Sequence, residues 1–356
     1  MSIRSSVRAL ARYHFTPRAS TVKLDQNESP VDLPEGIREA AMERMRNAAW
    51  HRYPELHPHA LEEAIAARHD WDPDGVIVSN GSNVLLQALV IVAGIGQSVL
   101  TVTPTFAVYG MQARLLGAEL IEVPLDGAGF SLPVDGLLDA MAGRRGIVFL
   151  ADPAAPTGNV HPSRDLQAVL RGAPGDWLVV LDEAYGEFAG TDHRDLVAGH
   201  PHAISVRTFS KAFGLAGVRI GYALTSPDLA GEVRKGLLPF SFSSVQAAVA
   251  MAALQHPEYV AERVAIARRE RDRLVAGLAS LPGVEPHPSR TNFVLFRVAD
   301  VDAVYRGLLE HDIAVRRQDH LAGLEGCLRV SVGTPDETDA FLEALRAVLR
   351  AEVVGG

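Results

Sequence analysis

The chain has 356 residues, of which 47% are hydrophobic and 22% charged, with a formal net charge of −9. This is ordinary globular usage, long enough for one large domain and a smaller one, and it excludes a disordered chain. The acidic balance and the scattering of Lys and Arg argue against nucleic-acid binding, so an anionic ligand must be met by a focused pocket. The one cysteine, Cys327, cannot form an internal disulfide, which fits a reducing compartment such as the cytoplasm. No stretch reads as a signal peptide, and none approaches the ~20 apolar residues of a membrane span. The histidines show no metal-ligand spacing, so no metal site is expected.

In chain order, the residues up to about Leu24 read as an arm with a short helix. LDQNESPVDLPEG (24–36) reads as an extended loop that opens a helix near Pro34, and HRYPELHPH (51–59) as a second loop before a helix over 60–69. From Gly75 short apolar runs alternate with helical stretches: VIVSN (76–80), SVLTV (98–102), AELIEV (118–123), GIVFLAD (146–152), WLVVLDE (177–183), AISVRTF (203–209) and RIGYAL (219–224). Runs so continuously apolar imply strands covered on both faces, as in a mainly parallel sheet. Helix-length segments at about 82–93, 106–116, 135–142 and 163–171 complete a doubly wound α/β pattern. Beyond Pro239 the chain predicts one long helical region over 244–280, then strands at 291–298 and 327–333 with helices at 300–311 and 336–350, a small α+β unit. The expected division is an N-terminal arm with part of the small domain (1–48), a large domain (49–240) and a small domain (241–356).

In open α/β sheets ligands bind beyond the carboxyl ends of the strands, so the residues delivered there are the candidates. The first strand ends in Ser82 and Asn83 at a helix start, where free N–H groups favour a phosphate. The second delivers Phe106 and Tyr109, aromatics able to stack on a flat ring. The fourth delivers the turn DPAAPTGN (152–159), and the fifth delivers Asp182 and Tyr185. An aspartate after so apolar a run calls for a cationic partner, and a protonated pyridine nitrogen is one. The sixth leads into SKAFGLAGVR, where Lys211 suits a Schiff base to an aldehyde and Thr208, Ser210 and Arg219 suit its phosphate. The aldehyde that answers this set is pyridoxal 5′-phosphate.

The succession GSN, PTF, PxxPTGN, DEAY and SKAFGLAGxRxGY, with Arg329 in CLRVSVGT, resembles the fold type I pyridoxal-phosphate-dependent aminotransferases over roughly residues 22–350. Within that group it looks most like the histidinol-phosphate aminotransferases. The resemblance implies an α/β large domain with a mainly parallel seven-stranded sheet plus a small α+β domain. It also implies Lys211 as the Schiff-base lysine, Asp182 on the pyridine nitrogen, Tyr185 on the ring's phenolic oxygen and Phe106 stacked on the ring. Ser82, Asn83, Thr208, Ser210 and Arg219 would form the phosphate cup, joined by Tyr53 from the second subunit of a homodimer. Arg329 would grip the substrate carboxylate or the corresponding end of a phosphorylated substrate, Arg316 would lie near a distal phosphate, and the segment with Asn27 would close over the substrate.

The chain departs from the usual NPNNPTG loop: Ala155 stands where the family carries an Asn that hydrogen-bonds the phenolic oxygen. Val31-Asp32-Leu33 replaces a common Tyr-Gly, and an aspartate near a bound phosphate is unfavourable. The reading is transamination between histidinol phosphate and 2-oxoglutarate. The alternatives are an aromatic or other amino-acid aminotransferase, a decarboxylase of amino-acid phosphates, or a cofactor-binding protein without turnover.

Overall fold

The structure is a computed structural model and describes residues 3–11 and 20–355, with side chains described through residue 351. The N-terminal arm includes a helix, Ser5–Arg8, and part of the arm lies outside the described residues.

The strands, in chain order, are β1 Val22–Lys23, β2 Val76–Ser79, β3 Ser98–Thr103, β4 Glu119–Pro124, β5 Gly146–Ala151, β6 Trp177–Asp182 and β7 Ala203–Thr208. They continue with β8 Gly221–Leu224, β9 Glu285–Pro286, β10 Phe293–Arg297, β11 Ile313–Ala314, β12 Arg316–Arg317 and β13 Cys327–Ser331. β2 to β8 form one seven-stranded sheet in the order β2-β8-β7-β6-β5-β3-β4. The pairs among β3 to β7 are parallel, whereas β8 runs antiparallel to both β2 and β7. β5, β6 and β7 are buried at every position, which is why they read as unbroken apolar runs. β4 closes one edge, and its exposed Glu119 and Glu122 make that edge unattractive for further pairing.

Two features differ from the sequence expectation. The run RIGYAL does not extend as a strand from Arg219: this residue adopts a left-handed backbone (φ 61°) after a short 3-10 turn, and β8 begins at Gly221. The helical region over 244–280 is two helices, Ser244–Leu254 and Pro257–Ala279. The break falls before Pro257, whose ring is tolerated only in a first helical turn. The first of the two helices starts with a capping box in which Ser243 and Gln246 satisfy each other's backbone N–H groups.

The long helix joins two cores. Tyr259, Val260 and Val264 pack with Ile65, Phe209, Phe213 and Tyr222 beside the large sheet. Leu274 and Leu278, further along, pack with Phe296, Leu328, Val330 and Phe341 around a four-stranded antiparallel sheet, β12-β13-β10-β9. The N-terminal segment ties to the same unit through the parallel pair β1-β11 and the bond from Ser331 N–H to Leu24 O (2.9 Å). Residues 25–29 are thereby drawn along the boundary between the two cores. Among the described residues no helix is long and apolar enough to cross a membrane.

Candidate active site

The carboxyl ends of the parallel strands open on a cavity of about 350 Å³. Beyond β2, Gly81 (φ 84°) precedes the helix Ser82–Ala93, whose N-terminus no side chain caps. A Cβ at Gly81 would lie 2.7 Å from Arg219 Nη2, so the glycine is what lets the guanidinium lie against this turn. Ser82 and Asn83 thus bring helix-start N–H groups and an arginine to one wall. Thr208 Oγ1 donates to Ser210 Oγ (3.0 Å), and Arg219 Nη1 donates to Ser210 Oγ (3.3 Å) and to Ala216 O (2.9 Å). The left-handed backbone at Arg219, strained for a non-glycine residue, is held by these contacts.

On the opposite wall Asp182, at the end of β6, is buried. Its carboxylate accepts from Tyr109 Oη (2.7 Å) and from Ala184 N–H (3.1 Å). Burial pushes the carboxyl up to about 6 against the pull of these two donors. Tyr109 lines the cavity too: its ring stacks on Phe149, with centroids 4.9 Å apart, and its hydroxyl donates to Asp182. Phe106, close by, lines the cavity. Tyr185 Oη accepts from Asn27 Nδ2 (2.9 Å). Lys211 Nζ donates to Gln26 O (2.9 Å), and burial first, then the charge of Arg329, depresses its amine to about 7. A large fraction of this amine is therefore unprotonated and nucleophilic near neutral pH.

A second, polar cavity of about 200 Å³ shares Lys211, Tyr185, Phe106 and Ala155 with the first. Asn27, Arg316, Gln318, His320 and Arg329 line it. Arg329 on β13 donates to Asp25 O (3.0 Å) and lies over the Phe293 ring (5.2 Å).

Of the residues singled out in the sequence, Ser82, Asn83, Phe106, Tyr109, Asp182, Tyr185, Thr208, Ser210, Lys211 and Arg219 line the first cavity, and Asn27, Arg316 and Arg329 the second. Tyr53 lines neither; it is 84% exposed on its own chain, its ring 5.3 Å from Phe240. Asn159 does not stand in for the missing Asn at 155: its amide donates to Phe130 O and its carbonyl accepts from Thr157 Oγ1. Asp32 is paired with Arg38 and does not line the second cavity. Three contributors escaped the sequence reading, namely the Tyr109 hydroxyl, the Gln26 carbonyl, and Gln318 with His320. Tyr109 alone carried a signal, since its position three residues after Phe106 places both on one side of a helix start.

A depressed amine, a buried carboxylate facing the same space and a cup of N–H groups and arginine define a site for a phosphorylated aldehyde cofactor, and the chain belongs to the family that uses one. Residues 19–345 match the family "Aminotransferase class I and II". The chain is 48% identical over 348 residues to the histidinol-phosphate aminotransferase of Deinococcus radiodurans, covering 97% of this chain and 96% of that one. It is 36% identical to the enzyme of the same name from Thermococcus gammatolerans, covering 98% of each. Among solved structures it is similar to the histidinol-phosphate aminotransferase from Sinorhizobium meliloti in complex with pyridoxal-5′-phosphate. That likeness has a TM-score of 0.89 and 28% identity over 98% of both chains. The fold extends to an L-threonine-O-3-phosphate decarboxylase from Porphyromonas gingivalis, with a TM-score of 0.79 at 23% identity, covering 92% of this chain and 99% of that one.

Pyridoxal 5′-phosphate is the cofactor of this family, and the residues present fit it. Among the described residues no cation pairs with the buried Asp182 carboxylate, which is the partner a protonated pyridine nitrogen requires. The uncapped helix start beside Arg219 is likewise suited to a phosphate.

Proposed function

We propose that the chain transfers the amino group of histidinol phosphate to 2-oxoglutarate, with Lys211 as the attachment and proton-transfer residue. The observation that carries this reading is the second cavity, where two arginines, Arg316 and Arg329, share a polar space with the depressed Lys211 amine. A phosphorylated amine needs an anion grip at one end and a reactive amine at the other, and an oxo acid can use the same arginines for its carboxylates. The pairing of Asp32 with Arg38 removes the repulsion that an unpaired aspartate would bring to a phosphate.

In this reading Asp182 holds the pyridine nitrogen, Tyr185 donates to the ring oxygen and Phe106 covers a ring face. Ser82, Asn83, Thr208, Ser210 and Arg219 take the phosphate. Bound there, pyridoxal phosphate supplies an electron sink for the pair left when a substrate Cα loses its proton. The chain's own work is then proton handling and positioning. Lys211 Nζ, unprotonated in good part near pH 7, would take the Cα proton and deliver it to the carbon that was the cofactor's aldehyde, while Asp182 stays ionised to keep the sink charged. Arg316 and Arg329 orient the substrate so that its Cα–H bond faces Lys211.

The reading includes a homodimer in the cytoplasm. Trp50, Tyr53, Leu56, Leu238 and Phe240 are large apolar side chains left exposed, and Tyr53 would enter the partner's phosphate cup from that surface. The deciding measurement is the absorbance of the cofactor-loaded protein. Histidinol phosphate should convert the cofactor band to the aminated form, and 2-oxoglutarate should restore it. A band that responds to aromatic amino acids and ignores histidinol phosphate would reassign the substrate; a band that no amine moves would leave a binding protein without turnover.

A further inference from the structure

Asn27 does more than line the substrate cavity. It is 1% exposed and has a left-handed backbone (φ 53°), a conformation that a non-glycine residue keeps only where its surroundings hold it. The surroundings here are specific. The Asn27 N–H donates to Ser331 Oγ (2.8 Å), and its carbonyl accepts from Asn292 Nδ2 (3.1 Å). Its side-chain Oδ1 accepts the Ser331 hydroxyl proton (3.2 Å), which leaves Nδ2 to donate to Tyr185 Oη (2.9 Å). The serine hydroxyl therefore decides which end of the amide meets the tyrosine. Ser331 and Arg329 lie two apart on β13, hence on one face, and Arg329 holds Asp25 O, so the segment is stapled to that face at both ends.

A phenol oxygen that already accepts from an amide keeps its own proton for another partner. Tyr185 lines both cavities, and Ala155, which lines them too, offers only a methyl group. We infer that Asn27 is a positioning residue: by donating to Tyr185 Oη it turns the phenol proton toward the cavity and strengthens it as a donor to the ring oxygen of bound pyridoxal phosphate. The inference rests on the cofactor role proposed for Tyr185. Burial pushes the Tyr185 hydroxyl up, and the charge of Arg329 and the Asn27 bond both pull it back. The charged groups around the phenol are Lys211, with Nζ 5.8 Å from the ring centroid, Arg329 and Asp182, and none of them is altered in the variants below.

The test is an absorbance–pH titration of the lysine-bound cofactor in wild type, Asn27→Gly, Asn27→Asp, Tyr185→Phe and the Tyr185→Phe/Asn27→Gly double variant. Glycine is chosen because it tolerates the left-handed backbone. A donor at the ring oxygen stabilises negative charge there and weakens the hold on the proton shared with the lysine-linked nitrogen, so losing the donor raises the midpoint. Asn27→Gly should raise it by about half to one pH unit, the worth of one hydrogen bond. Asn27→Asp should raise it further, because a carboxylate draws the phenol proton away from the cavity. In the Tyr185→Phe background Asn27→Gly should add nothing, which a general loosening of the segment would not reproduce. An unmoved midpoint in Asn27→Gly, or an equal shift with and without the Tyr185 hydroxyl, overturns the inference. Wild-type protein that develops no cofactor band overturns the cofactor reading as well, and is distinguishable because the band is then missing rather than unmoved.

Discussion

At Asp182 the chain accepts a loss of stability for the sake of chemistry. Its carboxyl is raised from 3.8 to about 6, so between these values the folded state binds more protons than the unfolded one and stability falls as pH rises. Above about pH 6 the cost of burying the charge is felt in full. Cofactor-free Asp182→Asn should therefore melt at a higher temperature than wild type at pH 8, while the two converge below about pH 4. Equal melting temperatures at pH 8 would contradict the buried, unpaired carboxylate. Tyr109→Phe removes the donor at 2.7 Å and lets the carboxyl pKa rise further. The acid limb of kcat/KM should move to higher pH, and cofactor affinity should drop about ten-fold or more, as for a bond to a charged group. The aspartate could be read from its place after WLVVL and the tyrosine as an aromatic near Phe106; the bond between them could not, because it joins the end of β6 to the helix Val108–Leu116, 73 residues earlier in the chain, and only folding brings the two together.

Among the elements, the turn after β6 is fixed by a buried polar network. Glu183, the residue after Asp182, accepts from Arg207 Nη2 (2.9 Å), Ser205 Oγ (2.6 Å) and His193 N–H (3.0 Å). Arg207, on β7, also pairs with Asp192 at 2.5 Å. Arg207→Leu would leave the Glu183 carboxylate buried without its cation, a loss of about 3–5 kcal/mol. Thermal or urea unfolding of the variant reads this directly, and a loss below 1 kcal/mol would show that the remaining donors suffice. The sequence presents Arg207 inside an apolar run with no hint of partners, since Glu183 is 24 residues away and meets it only because β6 and β7 lie side by side. The strands themselves were legible because burial on both faces demands unbroken apolar runs. The start of β8 was not, because the left-handed turn at Arg219 is imposed by its guanidinium reaching back to Ser210 and Gly81.

For the whole molecule, Trp50 (74%), Leu238 (78%) and Tyr53 are large side chains left exposed, which the proposed dimer would cover. On the dimer reading, Leu238→Glu should shift the protein to half its mass by light scattering and weaken cofactor binding together with it, through the loss of Tyr53 from the partner's cup. Dissociation without any change in cofactor affinity would remove Tyr53 from the site. The amino-acid sequence by itself determined the fold class, the succession of apolar strands along the chain and where Lys211, Asp182, Tyr185 and Arg219 stand relative to them, whereas the order of those strands within the sheet came from the structure. For Asp182, Tyr185 and Lys211 the local pattern suffices, a buried strand followed by polar residues at or just past its carboxyl end, while Arg219 stands before β8. What tertiary structure alone decided is how these groups behave. The Lys211 amine is depressed by burial and by Arg329, which is 118 residues away, Asp182 accepts from Tyr109, and Tyr185 accepts from Asn27. Electric fields and hydrogen bonds act across space, so residues far apart in the chain set the reactivity of those the sequence could only locate.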